Sequence, residues 1–232
     1  MPEAFDRRLA LFVPSLRGGG VERAFLNLAR GLAALDQRVD LVTSLRHGTF
    51  LDDIDPRVRV LDLGFKRVTG ALPALTRYLR RDKPMALISA MTHANITALI
   101  ARWLSGYRLP VIVTEHHFFS REKARAWLNK ERLVMALARW IYPAADVITA
   151  VSDAAAQDLS AALRLPRDRV LTLHNPIDLE RIDGLSQQAP DHPWFSPGAL
   201  PVILSAGRFT WEKDFPTLLR AFRILRANRP AR

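Results

Sequence analysis

The sequence predicts an α/β fold: a doubly wound parallel sheet with helices on both faces, followed by the first strand–helix unit of a second sheet. Three observations predict it. Short apolar runs without strict alternation recur along the chain, as strands covered on both faces should. Segments with apolar residues at three- and four-residue spacing separate them, as crossover helices should. Glycine or polar residues stand where a run gives way to a helix, at the strand ends where such sheets place ligand chemistry.

The first unit sets the pattern. Leu9 to Val13 is a buried strand, Gly18-Gly19-Gly20 a turn, and Val21, Phe25, Leu28, Leu32 and Leu35 the apolar stripe of a helix. That helix would aim free N–H groups and a positive dipole end at the space above the strand, where phosphates are the usual occupants. The glycines also resemble a dinucleotide fingerprint, but Arg23 stands where that motif needs a small residue for helix–strand packing. Glu22 puts a negative charge in the first turn, which suits the dipole and does not welcome a pyrophosphate. A nicotinamide or flavin site is therefore discounted. A tight turn without ligand is the simpler reading of three glycines taken alone.

Val39 to Ser44 reads as the second strand, with Asp40 inside it rather than at its end, again unlike a ribose-binding acid. Val58 to Leu63 is the third. Leu72, Leu75 and Leu79 carry a short helix whose basic end suits the dipole. Met85 to Ser89 is a strand, Met91 to Ala94 a turn and Asn95 to Leu104 a helix. Met85 to Ala101 carries no formal charge, yet its polar residues leave it short of the ~20 predominantly apolar residues needed to span a bilayer. Pro110 to Thr114 forms a strand ending in Glu115-His116-His117. A lone histidine is most often structural, but a pair at a strand end can face a substrate. Adjacent histidines on a strand point apart and no third ligand is spaced to join them, so no metal site is expected.

Ser120 to Tyr142 reads as a long helix with Trp127, Val134, Leu137, Ala138 and Ile141 inward. Arg125, Arg132 and Arg139 form one basic line beside Trp127 and Trp140, suited to an anionic bilayer surface or to solvent. Asp146 to Ala150 is a strand, Ser152 caps a helix through Leu163, and Val170 to Leu173 is a strand running into Asn175-Pro176-Ile177-Asp178. From Gly184 to Pro201 prolines and glycines replace periodicity. A new strand, Val202 to Ala206, and a helix, Phe215 to Arg226 with Leu218, Leu219, Phe222 and Leu225 inward, follow. The organisation is thus 1–183 as one domain, 184–201 as a crossing, and 202–232 as the start of a second.

Composition sets the outer bounds. The 232 residues are 49% apolar and 25% charged, which is globular rather than disordered composition. A formal charge of +11 favours anionic partners. Nucleic acid fits that charge, but no recognisable module or interleaved aromatic platform accompanies it. The absence of cysteine excludes disulfides, thiolate metal sites and thiol nucleophiles. Arg7 and Arg8 precede an apolar run cut short by Pro14, which does not read as a signal peptide.

Five motifs stand in order: Gly18 to Arg23, Glu115-His116, Val151-Ser152, Asn175 to Asp178, and Gly207-Arg208-Phe209-Thr210-Trp211-Glu212-Lys213-Asp214. Together, along nearly the whole chain, they resemble the retaining sugar transferases of glycosyltransferase family 4, which have the GT-B fold. That family pairs two Rossmann-like domains around a cleft, the first binding acceptor and the second most of a nucleotide-sugar donor.

The resemblance implies roles. Arg208 and Lys213 would neutralise the donor diphosphate, with Gly19 and Gly20 approaching it. His116 would sit at the transferred sugar as the catalytic position. Glu22, Glu115, Ser152 and Asn175 would line the acceptor side of the cleft. No cofactor and no metal are implied, because fixed cations lower the cost of charge on a leaving diphosphate. The acceptor would be a glycan or lipid-linked molecule of the cell envelope, such as lipopolysaccharide. The location would be cytoplasmic, with peripheral contact at the inner face of the membrane.

Two departures stand out. The family's pair of glutamates after the basic motif does not follow Lys213, so the 232-residue chain is expected to be catalytically impaired. Asp214 stands where the family usually has glycine. A reading of another class, a non-catalytic binding module using the basic face of the same fold, fits the same residues.

Overall fold

The computed structural model describes residues 8–120, 129–196 and 198–232, without the side chains of 129–132 and 212. Two compact units divide the chain, Met1–Ile177 and Asp178–Arg232.

The first unit is built on β1 (Leu9–Val13), β2 (Val39–Thr43), β3 (Arg59–Asp62), β4 (Ala86–Ala90), β5 (Val111–Glu115), β6 (Val147–Ala150) and β7 (Val170–Thr172). These form one sheet in the order β3-β2-β1-β4-β5-β6-β7, with every pair parallel. The chain winds from β1 outward to β3, then returns to β4 on the other side of β1. The switch point therefore lies between β1 and β4, where the carboxyl ends of open sheets leave a crevice.

Alternation along each strand divides the core. Ala10 and Phe12 face one layer and Leu11 and Val13 the other. Helix α1 (Gly20–Ala34) covers the second with Val21, Phe25, Leu26, Ala29 and Ala33. Helices α2 (Leu72–Asp82), α3 (Thr92–Ser105), α4 (Asn129–Ile141) and α5 (Asp153–Leu163) cover the first. The doubly wound Rossmann-like layering expected of the sequence is thus present. Ser152 caps α5 as expected, its hydroxyl accepting from the Ala155 N–H at 3.2 Å.

Asp40 sits in β2 with no exposure. Its carboxylate accepts from Arg8 at 3.1 Å, from Arg59 Nε and an Nη at 2.9 and 2.5 Å, and from the Tyr78 hydroxyl at 2.8 Å. Arg59 stands directly opposite it on β3 and also binds Asp82 at 2.9 Å. Burial and the neighbouring carboxylate hold the Tyr78 phenol well above its ordinary range, so it stays a donor.

Three local expectations are corrected. The turn expected over Met91 to Ala94 shrinks to Met91 alone, held at φ +77°, ψ 136°, because α3 begins at Thr92. In α4 Ala138 is buried and Val134 and Ile141 pack against the core as expected, but Leu137 is exposed, and Met135 and the following Tyr142 are the other buried residues. Trp127 and Arg125 lie outside the described residues, as does the Arg132 side chain. Arg139, expected on an outward basic line, is half-buried, with one Nη lacking a hydrogen-bond partner among the described residues.

The second unit holds α6 (Leu179–Ser186) and α7 (Phe215–Asn228), with short 3-10 turns between them. Val202 to Ala206, expected as a strand, joins no ladder. A strand needs a partner edge, and here only Ile203 and Pro201 exchange backbone bonds with Arg232, at 2.7 and 2.9 Å. The α7 residues expected inward are at best half-buried, and Leu219 and Leu225 are exposed, since no sheet lies beneath them among the described residues. No helix of the described residues is long and apolar enough to cross a membrane.

Candidate functional site

The loops at the carboxyl ends of β1 and β2 are stitched together. Leu16 N–H donates to His47 at 3.0 Å, Leu45 N–H to Pro14 at 3.2 Å, and Phe50 N–H to Leu16 at 3.3 Å. Gly48 makes this possible: a Cβ there would lie 1.8 Å from the Leu16 carbonyl oxygen. The turn then delivers Gly19 as the N-cap of α1, with no side chain to occupy the first free N–H groups. Glu22 lies beside that turn from within the helix. It is buried, and its carboxylate lies 2.3 Å from where a Gly19 Cβ would be. Around Gly20 the space is open, an added Cβ meeting nothing within 4 Å. The turn is therefore shaped for close approach at Gly20 and carries a carboxylate beside it.

The end of β5 holds two adjacent residues in opposite settings. Glu115 turns inward and is 3% exposed. Its Oε1 accepts from the Thr92 hydroxyl at 3.0 Å, from Asn95 Nδ2 at 3.2 Å, and closely from the Tyr142 hydroxyl. Asn95 in turn donates to the Thr114 carbonyl at 3.0 Å and meets the Ser89 hydroxyl at 2.7 Å. Burial and the charge of Glu115 push the Tyr142 phenol well above its ordinary range. The carboxylate expected at the cleft wall thus anchors a buried network joining β4, α3, β5 and the end of α4.

His116 turns the other way. Its ring lies 6.2 Å from that of Phe25 on α1, and both ring nitrogens are covered without a hydrogen-bond partner among the described residues. Buried polar atoms are rarely left so, and such an exception calls for a ligand or a function. Burial, with His117 beside it, lowers its pKa from 6.5 to about 4. The ring is therefore neutral at physiological pH, one nitrogen a donor and the other an acceptor.

This carries a stability consequence. The unfolded chain takes up a proton at this histidine below pH 6.5, whereas the folded chain does so only near pH 4. Stability is complete above pH 6.5 and is lost as pH falls toward 4, by up to about 3 kcal/mol. Urea unfolding across that range is expected to show the slope in the natural chain and its loss in His116→Phe. Equal slopes in both would refute the assignment.

Ser152 is engaged as a helix cap, while Asn175 is exposed beside Pro176, whose carbonyl accepts from Asn27 of α1 at 3.0 Å. His174 Nδ1 lies 3.0 Å from the Val151 carbonyl. The structure therefore brings Gly19, Gly20, Glu22 and His116 to the α1 side of the strand ends. Glu115 and Ser152 support from within. Sequence reasoning missed Thr92, Asn95 and Tyr142, for which the only signal was polarity inside an apolar segment.

In the second unit Arg208 and Lys213 have no ion-pair partner among the described residues, and both are exposed. The Lys213 stem passes over Gly207, its Cγ, Cδ and Cε each 3.3 Å from where a Cβ would lie, so glycine there lets the lysine lie flat. Asp214 adopts φ +44°, ψ +45°, the left-handed geometry natural to glycine and tolerated by aspartate. Its side chain also caps α7, accepting from the Thr217 N–H at 3.3 Å. Lys213 thus stands just before the amino terminus of α7, and Arg208 lies in the loop that leads to it. Among the described residues no group of three or more His, Asp or Glu side chains is placed to hold a metal ion.

Residues 18–181, from the glycine turn to the start of α6, match the model of Glycosyltransferase Family 4. The chain belongs to that family. No curated protein matches it. Among solved structures, this family 4 chain is similar to sucrose-phosphate synthase (tll1590) from Thermosynechococcus elongatus, with TM-score 0.69 and 15% identity over 93% of this chain and 59% of that one. It is also similar to Anabaena Alr3699/HepE in complex with UDP-glucose, with TM-score 0.60 and 14% identity over 97% and 68%. A third is the lipopolysaccharide outer core galactosyltransferase WaaB in its apo form, with TM-score 0.58 and 13% identity over 88% and 53%. The family 4 chain spans between about half and two thirds of these proteins' lengths. Likeness at such identity concerns the fold, and function must be argued from the site.

Proposed function

We propose that this chain contributes the acceptor side of a cleft in which a sugar moves, with retention of configuration, from a nucleotide-sugar donor to a hydroxyl of a glycan or lipid-linked acceptor. One observation carries the reading beyond family membership: His116 presents two covered, partnerless ring nitrogens at the end of β5. A neutral imidazole there hydrogen-bonds sugar hydroxyls in either direction and adds no charge. Gly20 leaves room for the donor or acceptor to approach the start of α1. Arg208 and Lys213 bring fixed positive charge to the leaving diphosphate, which removes the need for a metal ion there. A structure similar to this chain holds UDP-glucose, which makes that the first donor to try.

The test is release of nucleotide diphosphate from a panel of nucleotide sugars offered with mixed glycan and lipid acceptors. At least one donor is expected to be bound, with slow turnover. His116→Ala should lower kcat/KM by about ten- to a hundredfold, the value of one or two lost hydrogen bonds in the transition state. A chain that neither binds nor consumes any nucleotide sugar would remove this reading, and the non-catalytic module would replace it. Unchanged kcat/KM in His116→Ala would remove the histidine from it.

A further inference from the structure

The far edge of the first unit carries an apolar surface that the transfer site does not use. Helix α4 exposes Leu133, Leu137 and Trp140, at i, i+4 and i+7, so one stripe of the helix faces outward. Trp140 is 83% exposed, and Trp103 at the end of α3 is 79% exposed. Both indoles line a groove of about 840 Å³ whose floor includes Leu99, Tyr107 and Ile141. Tryptophan is the side chain with most to gain from leaving water, and contiguous exposed apolar surface of this kind marks an interaction site.

Charge says what covers it. One wall is neutral, Arg102 binding Asp146 at 2.6 Å and also donating to the Ala144 carbonyl. Arg108 lines the same groove. Beyond the last turn of α3 a smaller hollow is lined by Arg77, Arg80 and Leu104. Arg80 is fixed by bonds to the Leu104 and Ser105 carbonyls, at 2.6 and 3.1 Å, while Arg77 and Arg108 have no partner among the described residues. Of the charged residues around the two hollows, four are arginines and one is an aspartate already paired. Exposed indoles and leucines flanked by the two guanidinium groups of Arg77 and Arg108 match the boundary between acyl chains and anionic headgroups.

We propose that this face docks on an anionic lipid bilayer, with Trp103, Trp140, Leu133 and Leu137 at the acyl boundary and Arg77 and Arg108 on lipid phosphates. The groove lies at the amino ends of β5 and β6, bounded by Gly106 to Pro110 and Asp146. His116 lies beyond the carboxyl end of β5, so the docked face leaves it uncovered.

The experiment is co-sedimentation of the purified chain with vesicles of phosphatidylcholine alone and of phosphatidylcholine mixed with phosphatidylglycerol, together with tryptophan emission. Binding is expected only to the anionic vesicles, with a blue shift and with release at high salt. Trp103→Ala/Trp140→Ala and Arg77→Glu/Arg108→Glu should each weaken partitioning by about tenfold or more. All four positions are on the surface, so the variants fold, which circular dichroism checks. Equal binding to neutral vesicles, or none to anionic ones, would overturn the proposal. So would a lipid-free dimer that the tryptophan variant dissociates, because a second copy would then be the occupant.

Discussion

Replacing Asp40 with alanine is expected to lower the unfolding free energy by about 3–5 kcal/mol, the range for breaking a buried ion pair by removing one partner. The carboxylate has no exposure and receives Arg8, both faces of the Arg59 fork and the Tyr78 hydroxyl. Its loss strands the buried Tyr78 phenol and takes from Arg59 two of its bonds, leaving that half-exposed guanidinium with Asp82 and water. Asp40→Asn, which keeps one acceptor oxygen, should fall in between. The network ties β2 to β3, α2 and the residue before β1, so the damage is to the edge of the sheet rather than to the transfer site. Urea or thermal unfolding followed by far-ultraviolet dichroism measures it. A loss below about 1 kcal/mol would mean that the bonds are replaced by solvent.

Gly48→Ala is expected to cost about 3 kcal/mol or more, through two separate penalties. The residue is held at φ +144°, which side chains rarely adopt, and the new Cβ would overlap the backbone of Leu16 and Arg17, at 1.8 to 2.5 Å. Backbone cannot step aside as a flexible side chain can. Relief requires the two loops to part, which breaks the Leu16–His47 and Phe50–Leu16 bonds and shifts the turn that starts α1. Gly19→Ala is the contrast, since its clash is with the far end of Glu22. The same unfolding measurement applied to both variants separates them. Equal stability of Gly48→Ala and the natural chain would show that the loops are not packed as described.

Much of the fold was legible because each strand is a short apolar run with its own punctuation. Leu9 to Val13, Val39 to Ser44 and Asp146 to Ala150 announce themselves without knowledge of their neighbours. The elements misread are those whose fate depends on a distant partner. Val202 to Ala206 has strand composition but no ladder to join, and Leu219 and Leu225 of α7 have helical spacing but nothing to cover. Leu137 shares that property, an apolar residue facing outward. At the site, His116 was visible as a polar residue closing an apolar strand. The inward turn of Glu115 was not, because its donors Thr92, Asn95 and Tyr142 come from sequence separations of 20 to 27 residues. Arg208 and Lys213 were singled out through resemblance, whereas the packing of the Lys213 stem over Gly207 shows only in the structure.

Met91 joins β4 to α3 without a spare residue. Its N–H donates to the Thr114 carbonyl at 3.3 Å and its carbonyl accepts from the Asn95 N–H at 2.9 Å, so strand and helix grip it from both sides at a positive φ. A non-glycine residue in that geometry stores about 1–3 kcal/mol of strain. The shortness is what sets Thr92 and Asn95 in phase with Glu115. An inserted residue here would rotate α3 by a fraction of a turn and disengage both donors at once. Lineages of this chain should therefore vary in length at the surface loops and keep a constant count across this junction.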